Sequence, residues 1–507
     1  MTGRALVIGA GPNGLVAAIK LASAGLETTV LEACSAPGGA VRTEPLTLPG
    51  FRHDTFSSVY PAGAASAALG RLPLAQHGLE WIHPEICMVH PLADGSAVAL
   101  HHELELTVAS LEAQASGDGR SWARFVGPYL RNFEAVRDSM LTNFPPVSGP
   151  LRLLAGAGPA ALAGLGLLPA LPATLLAQRL FSSAGARGWL LGGAAHGDVP
   201  VTRAGSALPA FYLSLLGHAV GWPSPRGGAQ SLTDALVGYL RSLGGELICS
   251  APVERITSVA GRVTGVATVH GRRYVAETVL ADLMPQALVA MSGDALKGWY
   301  RACLVRFQHG PATVKLDWAL DGPIPWMAPA ARAAGTIHLA GDATATVNSL
   351  TEAATGLPEA PFLLLGQQSV ADPTRAPAGK HTAWAYTRAA PHLASDLASE
   401  SMIDAIERQV ERYAPGFRSR ILARHVLGPA ELEARNPNLV RGDVGGGSYR
   451  RLQALFRPLP ALSPYRTPVE GLYLASAAAF PGGGVHGVPG EAAARAALAA
   501  LRRTGRR

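Results

Sequence analysis

Cysteine is nearly absent. Cys34, Cys87, Cys249 and Cys303 stand far apart in 507 residues, with no C-x-x-C. That excludes a disulfide framework and a zinc site of ordinary spacing, and it suits a reducing, cytosolic setting. The fifteen histidines include no H-x-x-x-H pair, and His101-His102 reads as an exposed turn, so no metal is expected. Lysine is as scarce: Lys20, Lys297, Lys315 and Lys380 are four of 43 basic residues. The arginines are mostly scattered singly, which argues against a nucleic-acid surface despite a formal charge of +7. One basic cluster, Arg502, Arg503, Arg506 and Arg507, is either a solvated terminus or a contact for anionic lipid. A secretory leader is not expected either, because the first apolar run is accounted for as a strand.

What is present is an apolar chain, 48% hydrophobic and 16% charged. It is too long for one ordinary core, so two domains, possibly interleaved in sequence, are expected. The run Ala5–Ile8 has strand character and leads into Gly9-Ala10-Gly11-Pro12-Asn13-Gly14, a G-x-G-x-x-G. A helical stripe (Leu15, Ile19, Ala22) follows, then a strand over 27–32 that ends in Glu32. In such a βαβ start Gly9 permits the tight turn and Gly11 lets backbone approach a pyrophosphate. Gly14 lets the helix pack on the sheet, and the helix N-terminus attracts phosphate. Glu32, 21 residues after Gly11, has the spacing of an acid that binds ribose hydroxyls. A similar run, Gly156-Ala157-Gly158-Pro159-Ala160-Ala161, follows no strand and is discounted.

After Glu32 and Ala33 comes Gly38-Gly39-Ala40-Val41-Arg42-Thr43. A second glycine pair allows another close backbone approach, and Arg42 adds a planar cation near the pyrophosphate. Here the chain resembles the flavin-dependent amine oxidase and phytoene desaturase superfamily, whose pattern after the acid is G-G-x-x-R-T. The resemblance implies FAD. In that superfamily the next loop passes under the flavin. That makes Asp54 and Tyr60 candidates to line the site, with a bland loop the alternative.

From 73 to 223 the pattern is mostly helical. Leu153–Ala177 is charge-free and long enough for a membrane span, but its glycines and Pro159, Pro169 and Pro172 argue against one continuous helix. Short apolar helices are expected, forming a buried lid or channel wall; peripheral membrane contact and a true span are the alternatives. Gly227-Gly228, a helix over 232–243, a strand over 246–250 and Val253 then repeat an order found in the superfamily. The resemblance gives Val253 the adenine contact. Further strands are expected near 263–269 and 273–281, the latter leading to Asp282.

Residues 301–429 read as a second substrate-domain segment. Strands at 312–316, 336–339, 362–365 and 381–387 suggest an antiparallel sheet, with an amphipathic helix over 401–413. Trp318, Trp326, Trp384 and Tyr386 are either pocket lining or ordinary core. The cofactor domain is therefore expected from 1–72, 222–300 and 430–507, and the substrate domain from 73–221 and 301–429. This is an α/β (α+β overall) architecture with a Rossmann-like part built from discontinuous segments.

The last segment carries the most specific pattern: Asn436-Pro437-Asn438-Leu439-Val440, Gly442-Asp443-Val444-Gly445-Gly446-Gly447, Phe456-Arg457-Pro458, Pro464–Pro468, Gly471–Leu474 and Pro481–Gly487. Strand, glycine loop and helix would let backbone meet a flat ring and aim N–H donors where a reduced flavin gathers charge. The block resembles the phytoene-desaturase-like oxidoreductases, closely the group that contains pyridine nucleotide-disulfide oxidoreductase domain-containing protein 2. The resemblance puts Ser476, Pro481, Gly482, Gly487 and Val488 at the flavin. Ser476-Ala477 stands where related flavoproteins often have Gly-Asp, so no acidic contact is assumed there.

The flavin would carry the chemistry. His486, beside the expected ring, is the candidate for proton work, with packing the alternative. By resemblance the expected reaction is dehydrogenation (desaturation) of a largely apolar substrate, such as a carotenoid precursor. A reduced-flavin polyene isomerase or saturase, and a flavin-bound interaction protein with little turnover, are the alternatives. No second dinucleotide fingerprint is present, so oxygen, a quinone or another carrier would accept electrons.

Overall fold

The computed structural model describes residues 3–504; Arg506 and Arg507 of the basic cluster lie outside the described residues. Strand Arg4–Ile8 sits at the centre of a five-stranded parallel sheet. Its order is Leu472–Leu474, Thr278–Ala281, Arg4–Ile8, Glu27–Leu31 and Glu246–Ile248. Parallel strands buried on both faces need near-continuous apolar runs, and Ala5-Leu6-Val7-Ile8 and Thr278-Val279-Leu280-Ala281 supply them. Helices Pro12–Ala22, Gln230–Ser242 and Val488–Thr504 pack around this sheet. The 273–281 segment divides in two. Arg273–Val275 joins Val253–Val259 and Arg262–Thr268 in a three-stranded antiparallel sheet, whereas Thr278–Ala281 enters the parallel one.

The second sheet has seven strands, in the order Ile421–Leu427, Ala312–Leu320, His381–Ala389, Leu363–Gly366, Ala334–Leu339, Ile86–Pro91 and Ala97–Leu100. Two of these, 86–91 and 97–100, come from the segment read as mostly helical. Ile86-Cys87-Met88-Val89-His90-Pro91 is buried on both faces and so lacks the alternation that marks a strand. The sheet is mixed rather than wholly antiparallel, because 334–339 pairs parallel with 86–91.

Register divides this sheet into two unlike faces. Val314, Leu316, Trp318, Ile337, Leu365 and Ala385 point to one side, where they form a core with helix Glu400–Tyr413. Lys315, Asp317, Trp384, Tyr386, Arg388, His338 and His90 alternate with them and point to the other.

The apolar middle segment is broken as its prolines and glycines predict. Helix Ser148–Leu167 has a non-helical Gly158 (φ +82°), and a short turn over 168–170 precedes helix Ala173–Leu180. It is not a buried wall, however. Residues 148–170 reach a mean hydropathy of 1.6, long and apolar enough to cross a membrane, yet only 17% of the most apolar window is buried. Val147, Leu151, Leu154 and Leu167 face outward.

Candidate cofactor and substrate site

Gly9 leaves the central strand at φ +95°, a conformation that side chains other than glycine rarely adopt. Its N–H donates to Leu31 O at 2.8 Å. Backbone packing around it is close enough to exclude Cβ atoms. One on Gly14 would lie 2.0 Å from Gly9 O, one on Gly39 3.0 Å from Gly11 Cα, and one on Gly490 1.9 Å from Asn13 O. The first glycine loop, the second and the C-terminal helix thus meet backbone to backbone. At the start of the Pro12–Ala22 helix Pro12 has no N–H and Asp282 Oδ2 accepts the Gly14 N–H at 3.0 Å, which leaves the Asn13 N–H as the first-turn donor for an anion.

Glu32 is buried at the end of its strand. Oε2 accepts the Ala10 N–H at 2.7 Å and Oε1 the Cys34 N–H at 2.8 Å. A carboxylate has lone pairs to spare beyond these, so ribose hydroxyls can still bond there. Buried Arg42 donates from Nη2 to Arg435 O at 3.2 Å and lies over the Phe56 ring, while its Nε has no partner. An orphaned guanidinium donor beside two glycine loops fits a pyrophosphate. Thr43 Oγ1 donates to Asp54 Oδ1 at 2.7 Å and accepts from Gln230 N at 3.1 Å, tying the second glycine loop to Gly227-Gly228. Val253 opens its strand buried, paired with Thr268. These groups fit the dinucleotide half of FAD.

The C-terminal glycine loop is braced from both sides. Buried Asp443 accepts three N–H bonds at 2.8 Å each: Gly310 and Gly447 on Oδ2, Gly445 on Oδ1. Burial pushes its carboxyl up, but His309 and these three donors outweigh it and hold the group below the usual range. Arg457, fully buried, works on the carbonyls. Nη1 donates to Ser448 O at 3.1 Å and Nη2 to Gly446 O at 2.5 Å, and the guanidinium stacks 4.1 Å over Tyr449. The G-D-x-G-G-G and F-R-P pieces are therefore one brace. Tyr449 Oη in turn accepts the Gly483 N–H at 2.8 Å.

Of the other C-terminal residues, Ser476 Oγ accepts the Ala478 N–H at 3.2 Å. Gly482, which follows Pro481, lies against Tyr449, and Gly487 packs on Val16. Val488 N–H donates to His486 Nδ1 at 3.2 Å. Burial lowers the His486 pKa to about 4 against the pull of the Gly483 and Gly482 carbonyls. The ring is thus neutral at physiological pH, with its proton on Nε2.

Asp198 links this loop to the polar face of the seven-stranded sheet. His196 Nε2 and His338 Nε2 are 2.9 Å apart, flanked by Trp222 and Phe362. Burial drives the His196 pKa down to about 3, with Arg388 adding to it; His338 falls well below its usual value for the same reason, helped by His196 and His90. A neutral pair at this distance has one nitrogen donating and one accepting. Trp384 and Tyr386 stack 5.9 Å apart, and Arg388 lies over Tyr386 while donating to His196 O and Gly197 O. Ala195, Ala340, Phe362 and Leu364 add an apolar patch. The next residue, Asp198, accepts from Tyr449 N and Ser448 Oγ, so wall and glycine loop are joined by direct bonds.

An ionic cluster closes one side. Lys315 pairs with Asp317, His53 Nδ1 lies 3.6 Å from Asp317, and Arg375 meets Asp54 at 2.8 Å, all buried. Burial pushes the Asp317 carboxyl up, but Lys315 and His53 outweigh it and hold it ionised.

Asp54 is fully buried, held by Arg375, Thr43 Oγ1 and the Ala229 N–H. Tyr60 sits behind it, donating to Ser57 O at 2.8 Å. Trp384 and Tyr386 face the site, whereas Trp318 and Trp326 lie on the opposite, apolar side and bond to Glu407 and Gln367. The sequence reading missed Lys315, Asp317, His196, His338 and Arg388. For the first two a signal existed: charges alternating with apolar residues in Val314-Lys315-Leu316-Asp317-Trp318.

The sequence profile of the flavin containing amine oxidoreductases matches residues 13–499. Pyridine nucleotide-disulfide oxidoreductase domain-containing protein 2 of Mus musculus is 29% identical over 544 aligned positions, covering 97% of this chain and 92% of that protein. Hydroxyneurosporene desaturase of Cereibacter sphaeroides is 29% identical over 307 positions, 57% of each chain. Among solved structures, putrescine oxidase bound to putrescine superposes with a TM-score of 0.63 at 17% identity, covering 99% of this chain and 100% of that one.

Proposed function

The chain belongs to the flavin containing amine oxidoreductases, with FAD as cofactor, and on that premise we propose that it dehydrogenates a substrate with a largely apolar body. FAD, when bound, supplies the hydride acceptor. The observation that carries the reading is the wall joined to the braced glycine loop. Trp222, Phe362, Leu364, Trp384 and Tyr386 offer apolar and aromatic surface, and the neutral His196–His338 pair, its two Nε2 atoms bonded to each other, adds no charge to it. Such a wall orients an apolar substrate by shape. The desaturase and dehydrogenase names among the relatives favour introduction of a C=C over amine oxidation.

In this reading Gly9, Gly11, Pro12, Asn13, Gly14, Glu32, Ala33, Gly38, Gly39, Arg42, Thr43 and Val253 hold the dinucleotide. Ser476, Pro481, Gly482, Gly487 and Val488 frame the ring. His486 acts there as a fixed Nε2–H donor and brace, because its low pKa leaves it a poor proton acceptor. Arg388 orients Tyr386 and the His196 turn. Oxygen or a quinone takes the electrons. The outward apolar face of the 148–167 helix supports peripheral contact with a membrane surface.

The test is anaerobic mixing of the yellow holoenzyme with three substrate classes: long polyene precursors, monoterpenes and alkylamines. Bleaching of the flavin band by a hydrocarbon, with the new double bond found by mass spectrometry, is the expected result. Bleaching by amines alone overturns the desaturation reading.

A further inference from the structure

The sheet order places the ends of strands Arg4–Ile8 and Thr278–Ala281 side by side, at the point where the chain's crossovers diverge to opposite edges. Dinucleotides bind at that point in open parallel sheets. Gly9 leaves the first strand there, and an acid, Asp282, leaves the second. Its N–H donates to Ile8 O at 2.9 Å. Oδ2 accepts the Gly14 N–H at 3.0 Å, filling one of the helix donors that a phosphate would use. A Cβ on Gly11 would come within 2.8 Å of Oδ2 and one on Gly14 within 3.3 Å, so the carboxyl touches the heart of the glycine motif. Asn438 fixes it in place, donating to Asp282 O at 2.8 Å and accepting from Met284 N at 2.9 Å.

The charge does not suit the ligand. A pyrophosphate is an anion, and a carboxylate lodged at its helix terminus repels it, whereas a neutral carboxylic acid does not. Among the described residues, Glu32, at the end of the neighbouring strand, is the ionisable group that acts on Asp282; the glycine loop and the Asn436–Val440 segment meet it through backbone and amide groups. Among the described residues no cation offsets a charge on it. Burial first, then Glu32, raises its pKa to about 7, against the Gly14 N–H.

We propose that Asp282 is a proton-coupled gate on the dinucleotide site: as a carboxylate beside the Gly14 turn it repels the cofactor's pyrophosphate, and as a neutral acid, still accepting the Gly14 N–H, it admits it. The inference rests on the FAD reading above. Binding then takes up a proton whenever the flavin-free protein starts with Asp282 ionised.

Flavin-free protein and its Asp282→Asn variant are titrated with FAD between about pH 6 and about pH 9, reading the dissociation constant from flavin fluorescence. For the wild type a constant that is flat below about pH 7 and weakens up to tenfold per pH unit above it is expected. Asn keeps an oxygen for Gly14 N–H without the charge, so the variant is expected to be flat throughout and tighter than wild type at the alkaline end. In weakly buffered solution at about pH 8, wild type takes up close to one proton per FAD bound and the variant none. A variant with the wild-type slope, or wild-type binding without proton uptake, overturns the gate. If the variant does not fold, proton uptake by the wild type decides alone. Failure of both proteins to bind FAD at any pH is a different result; it sinks the cofactor reading and the gate with it.

Discussion

Asp443→Asn keeps the shape of the glycine-loop brace and removes its charge. Oδ2 receives Gly310 and Gly447, and Oδ1 receives Gly445. If the amide oxygen takes the Oδ2 position, two bonds survive without charge assistance, each weaker by about 1 kcal/mol. The amide NH2 then faces the Gly445 N–H, leaving that donor unsatisfied at about 1–3 kcal/mol. The sum is about 3–5 kcal/mol, enough to weaken flavin binding roughly 100-fold or more if the loop must re-form around the ring. Flavin retention on gel filtration and the midpoint of thermal unfolding, with and without added FAD, measure it.

The pH dependence follows from the direction of the shift. A carboxyl held low in the folded state contributes stability above its unfolded pKa of about 4 and loses it as pH falls through the folded value. The gap between wild type and variant should therefore be constant near neutrality and shrink in acid. A variant within about 1 kcal/mol of wild type that retains its flavin would refute the brace.

Gly14→Ala places a Cβ 2.0 Å from Gly9 O, so this variant should purify colourless even if folded, as absorbance reports. Arg388→Met removes the bonds to His196 O and Gly197 O and the stack on Tyr386. It should raise KM well above any change in flavin affinity, which steady-state kinetics beside a flavin titration would separate. Leu151→Ser with Leu154→Ser, on the outward face of the kinked helix, should abolish co-sedimentation with anionic vesicles while leaving the flavin spectrum unchanged. Unaltered sedimentation would remove the membrane contact.

The local frame was legible because its constraints are local. A turn off a strand at φ +95° and a helix packed against Gly9 O restrict Gly9 and Gly14 whatever the rest of the chain does. The strand-to-acid spacing ending in Glu32 is likewise read along the sequence. The substrate wall was not, because it is a property of register. His196 and His338 meet across 142 residues, from a helix end and a strand. Nothing near either predicts the other. The 86–91 strand escaped because burial on both faces erases alternation. Asp443 and Arg457 were visible as motif, but their work proved to be holding the loop rather than a ligand. The apolar 153–177 run was correctly expected to break at its prolines and glycines. Which way it faced depends on what packs against it, and composition carries no such direction.

One consequence of the backbone contact between Asn13 and Gly490 concerns the order in which the chain is made. The nucleotide loop leaves the ribosome before the helix at 488–504 that packs against it has been made. A nascent or prematurely terminated chain has the glycine fingerprint but neither the C-terminal ring frame nor the helix that seals its back. Cofactor capture therefore reports on synthesis through the 488–504 helix: a product truncated before it should stay colourless and be open to proteolysis, and flavin supply would set how many chains that contain it survive.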